Sequence, residues 1–246
     1  MRIMSWNVNG IRARSLRLAE FLKERQPDVL CLQELKLTDE EFPHLELQAS
    51  GYHAAIYGQS AWNGVAVIAK TKPELVLRGL PGAEEHGSRF VVAKVGDIEF
   101  ASVYVPNGKS ATHADYKMKL DWLELLAKHI EGRAKDTAFV LGGDFNVCWT
   151  PQDSFAGTRF DGRVHHTPEE RALLDRLRSA GLVDLYRTKY PEEPGFSWWD
   201  YRAGSFHKKE GMRIDLLLAT PSVAARVKDV VVEREFRKKG KPSGSI

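Results

Sequence analysis

The chain has 246 residues, 43% of them hydrophobic, which is enough to bury a sizeable core, and an α/β chain of this length is expected to form one domain spanning residues 1–246. Its formal net charge is only +3, so attraction for a polyanion must come from local patches; basic residues bunch at Arg12, Arg14 and Arg17, at His207-Lys208-Lys209, and from Arg234 to Lys241. Two cysteines, Cys31 and Cys148, cannot make a metal cage, and no stretch is apolar enough to span a membrane, so free thiols and a cytoplasmic location are expected.

In chain order, Arg2 to Val8 reads as a strand ending at Asn7-Val8-Asn9-Gly10. Ser15 opens a helix with Leu18, Phe21 and Leu22 on one face, stopped at Gln26-Pro27 because the residue before a proline is pushed out of the helical region. Val29 to Leu32 is a second apolar strand, ending at Gln33-Glu34. After a turn-rich segment, Val65 to Ala69, Phe90 to Val95 and Ile98 to Val105 read as strands, the last two joined through Gly96-Asp97 as a hairpin. A long amphipathic helix follows, with Leu120, Leu123, Ala127 and Ile130 at helical spacing. Ala138 to Leu141 is a continuous apolar run, the mark of a strand buried on both faces, and it leads into Gly142-Gly143-Asp144-Phe145-Asn146.

Thr150 to Val164 has no strong periodicity and reads as a surface loop. The next helix carries Thr167 as N-cap, Pro168 in the first turn, Glu170 completing a capping box and Gly181 as terminator, and its role is expected to be structural. Phe196 to Tyr201 is aromatic and the loop Arg202 to Glu210 basic. Gly211 to Leu218 reads as a strand with Asp215 near its start, and Val227 to Phe236 as a last strand before a basic stretch, Arg237 to Ile246.

Separate strand ends therefore offer Asn7, Glu34, Tyr104, Asp144, Asn146 and Asp215. Any one of them could be an ordinary turn residue. As a set drawn from Asn and carboxylates, with no Cys or His cluster, they point to Mg²⁺ or Mn²⁺ over Zn²⁺ and to metal-assisted attack on a phosphodiester. The aromatic segment beside a basic loop then fits a pocket for a sugar or base.

Six segments carry a family resemblance: 5–12 (Ser-Trp-Asn-Val-Asn-Gly-Ile-Arg), 27–34 (Pro-Asp-Val-Leu-Cys-Leu-Gln-Glu), 104–108 (Tyr-Val-Pro-Asn-Gly), 143–146 (Gly-Asp-Phe-Asn), 196–202 (Phe-Ser-Trp-Trp-Asp-Tyr-Arg) and 211–215 (Gly-Met-Arg-Ile-Asp). In this order they resemble the successive motifs of the exonuclease III family of abasic-site endonucleases, within the endonuclease/exonuclease/phosphatase superfamily. The resemblance implies a four-layer α/β sandwich, two mixed sheets face to face with helices outside. It implies that Glu34 binds the metal with Asn7 nearby, that Asp144 orients or deprotonates the attacking water, and that Asn146 and Tyr104 hold the scissile phosphate. Asn9, Arg12 and Asn107 would contact the DNA backbone, while Trp198, Met212 and Ile214 would shape a pocket for an extrahelical abasic deoxyribose. The implied reaction is Mg²⁺-dependent cleavage of duplex DNA 5′ to abasic sites, with 3′-to-5′ exonuclease and 3′-end cleaning as related activities, by a chain expected to be monomeric.

One departure stands against this agreement. The family closes with a Ser-Asp-His-Ala-Pro-like motif and a final strand, whereas here Lys241-Pro242-Ser243 runs into Gly244-Ser245-Ile246. The expectation is that the catalytic histidine and an edge strand are missing, that Asp215 has lost its imidazole partner, and that none of the eight histidines replaces it. Losing one phosphate-stabilising donor costs on the order of a hundredfold in rate, while binding can survive. Two readings follow: a nuclease of reduced activity or a shortened version of an active parent, and a catalytically inert binder of damaged DNA. A phosphodiesterase for lipids or small molecules is a third, disfavoured by Trp198 and the DNA-contact motifs.

Overall fold

The computed structural model describes residues 1–133, 137–200, 205–234 and 236. Its strands are β1 (Ile3–Asn7), β2 (Val29–Gln33), β3 (His53–Tyr57), β4 (Val65–Ala69), β5 (Glu74–Arg78), β6 (Phe90–Val95), β7 (Ile98–Tyr104), β8 (Phe139–Asp144), β9 (Val183–Asp184), β10 (Trp198–Trp199), β11 (Gly211–Met212) and β12 (Asp215–Ala219). The helices are α1 (Ser15–Arg25), α2 (His44–Ala49), α3 (Ala114–Glu131), α4 (Pro168–Ser179), α5 (Leu185–Lys189) and α6 (Pro221–Ala224).

Four strands form one mixed sheet in the order β1-β2-β4-β3, and six form a second in the order β5-β6-β7-β8-β12-β9. Among the described strands only β1–β2 and β7–β8 run parallel, and both pairs carry site residues at their C-terminal ends. The Gly96-Asp97 turn joins β6 to β7 as an antiparallel hairpin, as its turn-forming residues predict.

The strands β2 and β4 are buried on both faces, so each reads as a continuous apolar run and its alternate residues fall into different cores. Val29, Cys31, Val65 and Val67 face Val91, Ala93, Phe100 and Val140 of the second sheet. Leu30, Leu32, Ala66 and Ile68 pack outward against Leu18, Phe21 and Leu22 of α1. On the other side, Val103, Leu141 and Leu216 pack against α3 and α4 through Trp122, Leu126 and Leu174. The result is the expected α/β/β/α sandwich.

Several local expectations need correction. Val227 to Phe236 pairs with no strand among the described residues; Asp229 accepts from the Tyr190 hydroxyl at 2.5 Å, and Phe236 is drawn into the outer core beside α1. The segment Thr150 to Val164 is more than a surface loop, because Asp153, Ser154 and Ala156 are buried. On α3 the inward position is Lys119, fully buried, rather than Leu120, which is half-buried. β3 and α2 lie in the segment before Val65 that reads only as turn-rich, and β5 lies between the Val65 and Phe90 strands, where no element is expected. The basic stretch 237–246, with the expectation of a missing final strand, and residues 201–204 of the aromatic and basic loop lie outside the described residues.

Candidate active site

The C-terminal ends of β1, β2, β7 and β8 lie side by side, and the loops that follow them converge with β10 and β11 on one cleft. It is lined by Asn7, Asn9, Glu34, Tyr104, Asn107, Asp144, Asn146, His165, Trp198, Met212 and Ile214. Ten of these are sequence candidates, drawn from across the chain. A second hollow, beside Phe139 at the opposite end of β8, is lined by Ile130, Arg133, Leu182 and Thr220 and brings no carboxylates together.

The two sheets are joined at this end by Asn7. Its Nδ2 donates to Glu34 Oε1 at 2.8 Å and to Asp144 Oδ2 at 2.9 Å, so one carboxamide draws carboxylates from both sheets together. Asp144 Oδ1 accepts from the Asn146 amide at 2.9 Å. Asn146 Nδ2 donates to Val105 O at 2.9 Å, and its Oδ1 accepts from Asn107 Nδ2 at 3.2 Å. That leaves one Nδ2 hydrogen of Asn146 for a further acceptor. Lys36 Nζ sits 2.9 Å from Glu34 Oε2 and also donates to Asn9 Oδ1.

Burial, the neighbouring Asp215 and Glu34 push the Asp144 carboxyl well above its usual range, against the opposing bonds from Asn7 and the Asn146 amide. Burial and the same carboxylates, Glu34 and Asp144, push the Tyr104 phenol up, so it stays protonated and able to donate. The Arg89 guanidinium lies 4.9 Å over the Tyr104 ring and fixes that face.

Two sequence candidates stand apart from the cleft lining. Arg12 is exposed and paired with Glu41 at 2.5 Å. Asp215 lies across the ladder from Asp144, and the Ser197 hydroxyl donates to its Oδ2 at 2.6 Å. Asp215 therefore has a hydroxyl partner in Ser197, while the expected loss of its imidazole partner concerns residues 237–246, outside the described residues.

His165, Lys36 and Arg89 were not picked out from the sequence. His165 sits in an irregular segment, and its Nδ1 lies within hydrogen-bond reach of Asn146 O, which requires the proton on Nδ1. Burial, with the Lys119 ammonium nearby, lowers its pKa to about 3, so the ring is neutral across the physiological range. Asn9, Glu34, Asn146 and His165 have positive φ (47°, 54°, 51° and 72°), a left-handed conformation uncommon for non-glycine residues that also occurs away from the cleft, as at Gln26 and Lys209.

Among the described residues no three or more of His, Cys, Asp and Glu converge as a metal cage. The donor set fits a hard cation that relies on one or two carboxylates and completes its shell with water and phosphate oxygens. Glu34, held by Asn7, is the residue best placed for that.

A protein with these strands, layers and cleft matches the endonuclease/exonuclease/phosphatase family over residues 4–243, and the chain belongs to that family. It is similar to exodeoxyribonuclease III of Haemophilus influenzae, 33% identical over 99% of this chain and 96% of the relative, and to an exodeoxyribonuclease of Bacillus subtilis, 32% identical over 96% and 94%. Among solved structures it superposes on a Neisseria 3′ phosphatase bound to a product DNA hairpin, with TM-score 0.96 and 34% identity over 100% of this chain and 96% of that one. An AP endonuclease from Archaeoglobus fulgidus follows at TM-score 0.95 and 32% identity, with the same coverage. These relatives place the chain with the DNA repair nucleases of the exonuclease III and AP endonuclease type, a group that works with a divalent metal ion.

Proposed function

We propose that this nuclease hydrolyses phosphate esters of duplex DNA 5′ to abasic sites and at blocked 3′ ends, acting as a monomer with Mg²⁺, or Mn²⁺ in its place, held through Glu34 with Asn7 beside it. The observation that carries the reading is the convergence, in one cleft, of a raised carboxyl (Asp144), two donors (Asn146 and Tyr104) and an apolar wall of Trp198, Met212 and Ile214. The ion, when bound, supplies Lewis-acid stabilisation of the phosphate charge. Asp144, whose affinity for a proton is raised, takes the proton of the attacking water. Asn146 offers its remaining Nδ2 hydrogen, and Tyr104 its phenol, to the phosphate oxygens. Asn9 and Asn107, at the cleft rim, meet the DNA backbone, and the exposed Arg12 adds charge farther out.

One observation favours a narrower emphasis, on 3′-end cleaning. His165 puts an imidazole on the cleft wall at a left-handed position where glycine would carry less strain, and a ring there leaves less room for an extrahelical sugar. The superposing Neisseria 3′ phosphatase is consistent with that emphasis.

The test compares initial rates on a duplex with one abasic analogue, a nicked duplex ending in a 3′-phosphate, and a small aryl phosphodiester, each with Mg²⁺ and with chelator. Metal-dependent hydrolysis of either DNA is expected, with the 3′-phosphate faster. Faster abasic cleavage would remove the His165 emphasis. Lesion binding without hydrolysis makes the chain a damaged-DNA binder, and hydrolysis of the aryl ester alone overturns the DNA assignment.

A further inference from the structure

Behind the cleft lies a charged pair that the proposed chemistry does not use. Lys119 of α3 and Glu170 of α4 are both wholly inaccessible to solvent and form an ion pair. Taking two charges out of water is costly, and an apolar pair of similar volume commonly serves a core as well or better. Their hydrogen bonds lead to the site. Lys119 Nζ donates to the backbone carbonyl of Asn146 at 2.7 Å and lies 3.4 Å from His165 Nδ1. Glu170 Oε1 accepts from the His165 backbone amide at 3.1 Å, while its Oε2 accepts from the Thr167 amide and hydroxyl. His165 Nδ1 also donates to Asn146 O, closing the ring of contacts.

Asn146 and His165 line the cleft, and both are left-handed, with φ of 51° and 72°. Left-handed backbone is a minor choice even for Asn and His, and it persists where surrounding contacts fix it. Each backbone takes one bond from this ion pair, at the Asn146 carbonyl and the His165 amide, beside those that Asp144 gives the Asn146 amide and the Cys148 amide gives the His165 carbonyl. Satisfying one carbonyl and one amide with buried charges gives strong bonds in a low-dielectric setting.

We infer that Lys119 and Glu170 are positioning residues of the active site: together they hold the Asn146 and His165 backbones in their strained conformations and so fix where the Asn146 carboxamide and the His165 ring stand. The inference rests on the proposed function for its kinetic consequence and on the fold alone for its structural one. Neither side chain touches substrate.

Removing one partner strands a buried charge and threatens folding, so the informative protein is the double variant Lys119→Met with Glu170→Gln, which leaves no net buried charge. Its crystal structure and its Mg²⁺-dependent kinetics are compared with wild type on the better DNA substrate. The expected result is a folded protein in which Asn146 or His165 has left the positive-φ region, with kcat reduced at least tenfold and KM within threefold of wild type. A variant in which both residues keep their backbone conformation overturns the inference, whether or not it cuts. Altered conformations with unchanged kcat would also overturn it, because the pair would then serve only packing. If wild type cuts neither DNA, the proposed function fails on its own, and the structural comparison still decides whether the pair holds these backbones. Should that double variant not fold, Lys119→Gln with Glu170→Gln, which also leaves no buried charge and keeps polar groups at both positions, takes its place under the same criteria.

Discussion

At the scale of single residues, the site stores unfavourable energy in Asp144. Its carboxyl is buried beside Asp215 and Glu34, and its pKa is raised well above 3.8 despite bonds from Asn7 and the Asn146 amide. A folded-state pKa above the unfolded value means that the native state holds its proton more tightly. The stabilising contribution is therefore complete below about pH 4 and is lost as pH rises toward the folded pKa. At neutral pH the carboxylate opposes folding. Asp144→Asn removes that charge, so its metal-free melting temperature at pH 7.5 should exceed that of wild type, with the gap closing as pH falls toward 4. Turnover should drop by roughly a hundredfold or more, as expected for loss of the group that accepts the water proton. A lower melting temperature for the variant at pH 7.5 would show that its two hydrogen bonds outweigh the repulsion.

At the scale of elements, β8 shows what the sequence could and could not disclose. Its apolar run, and the delivery of Asp144 and Asn146 just beyond two glycines, were legible because a doubly buried strand has few alternatives. The glycines serve close approach rather than a turn, since the strand runs on through Asp144. A Cβ on Gly143 would come within 2.0 Å of the Val103 carbonyl oxygen on β7, whereas one on Gly142 would meet the tip of Leu217 at 2.8 Å. A backbone carbonyl in a parallel ladder cannot step aside and a leucine methyl can. Gly143→Ala should thus cost about 3 kcal/mol or more, and Gly142→Ala roughly 1 kcal/mol. Urea melts of the two variants would show this as a large and a small fall in midpoint at constant slope; equal falls would refute the distinction.

The same scale explains what was missed. Lys119 breaks the apolar pattern of α3 at a position that faces inward only because Glu170, 51 residues later, meets it there. The capping box of α4 was readable, but the second use of Glu170 was not, since local spacing carries no information about a partner on another helix. His165 and Lys36 were illegible for a related reason: their backbone conformations are set by tertiary contacts, not by residue type. The extended reading of Val227 to Phe236 failed because β-branched residues favour a strand only where a neighbouring strand is free to pair.

At the scale of the whole molecule, the segment after β12 ties one sheet to the other. Val223, Val227 and Val230 pack with the core between the sheets, and Phe236 then crosses to the outer core beside α1. Its ring meets Trp6 at 5.9 Å and Phe21 at 4.8 Å, both edge-on, and the Arg17 guanidinium lies 3.7 Å above it. Trp6 sits on β1, directly before Asn7, the residue whose carboxamide bridges the two carboxylates. Truncating a buried phenylalanine costs about 3–5 kcal/mol, the lower end applying where a long neighbouring side chain such as Arg17 can relax into the space. Phe236→Ala should accordingly lower the melting temperature by roughly 6–12 °C for a chain of this size. It should also make the segment after α6 the first site of tryptic cleavage under native conditions, well before the sheets are cut. The β1 strand keeps its ladder to β2, so the cleft residues should stay in register and catalysis per folded molecule should change less than twofold. A loss of kcat beyond tenfold in material that is still folded would mean that the aromatic cluster behind β1 sets the position of Asn7, and the packing of this segment would then belong to the active site as well as to the fold.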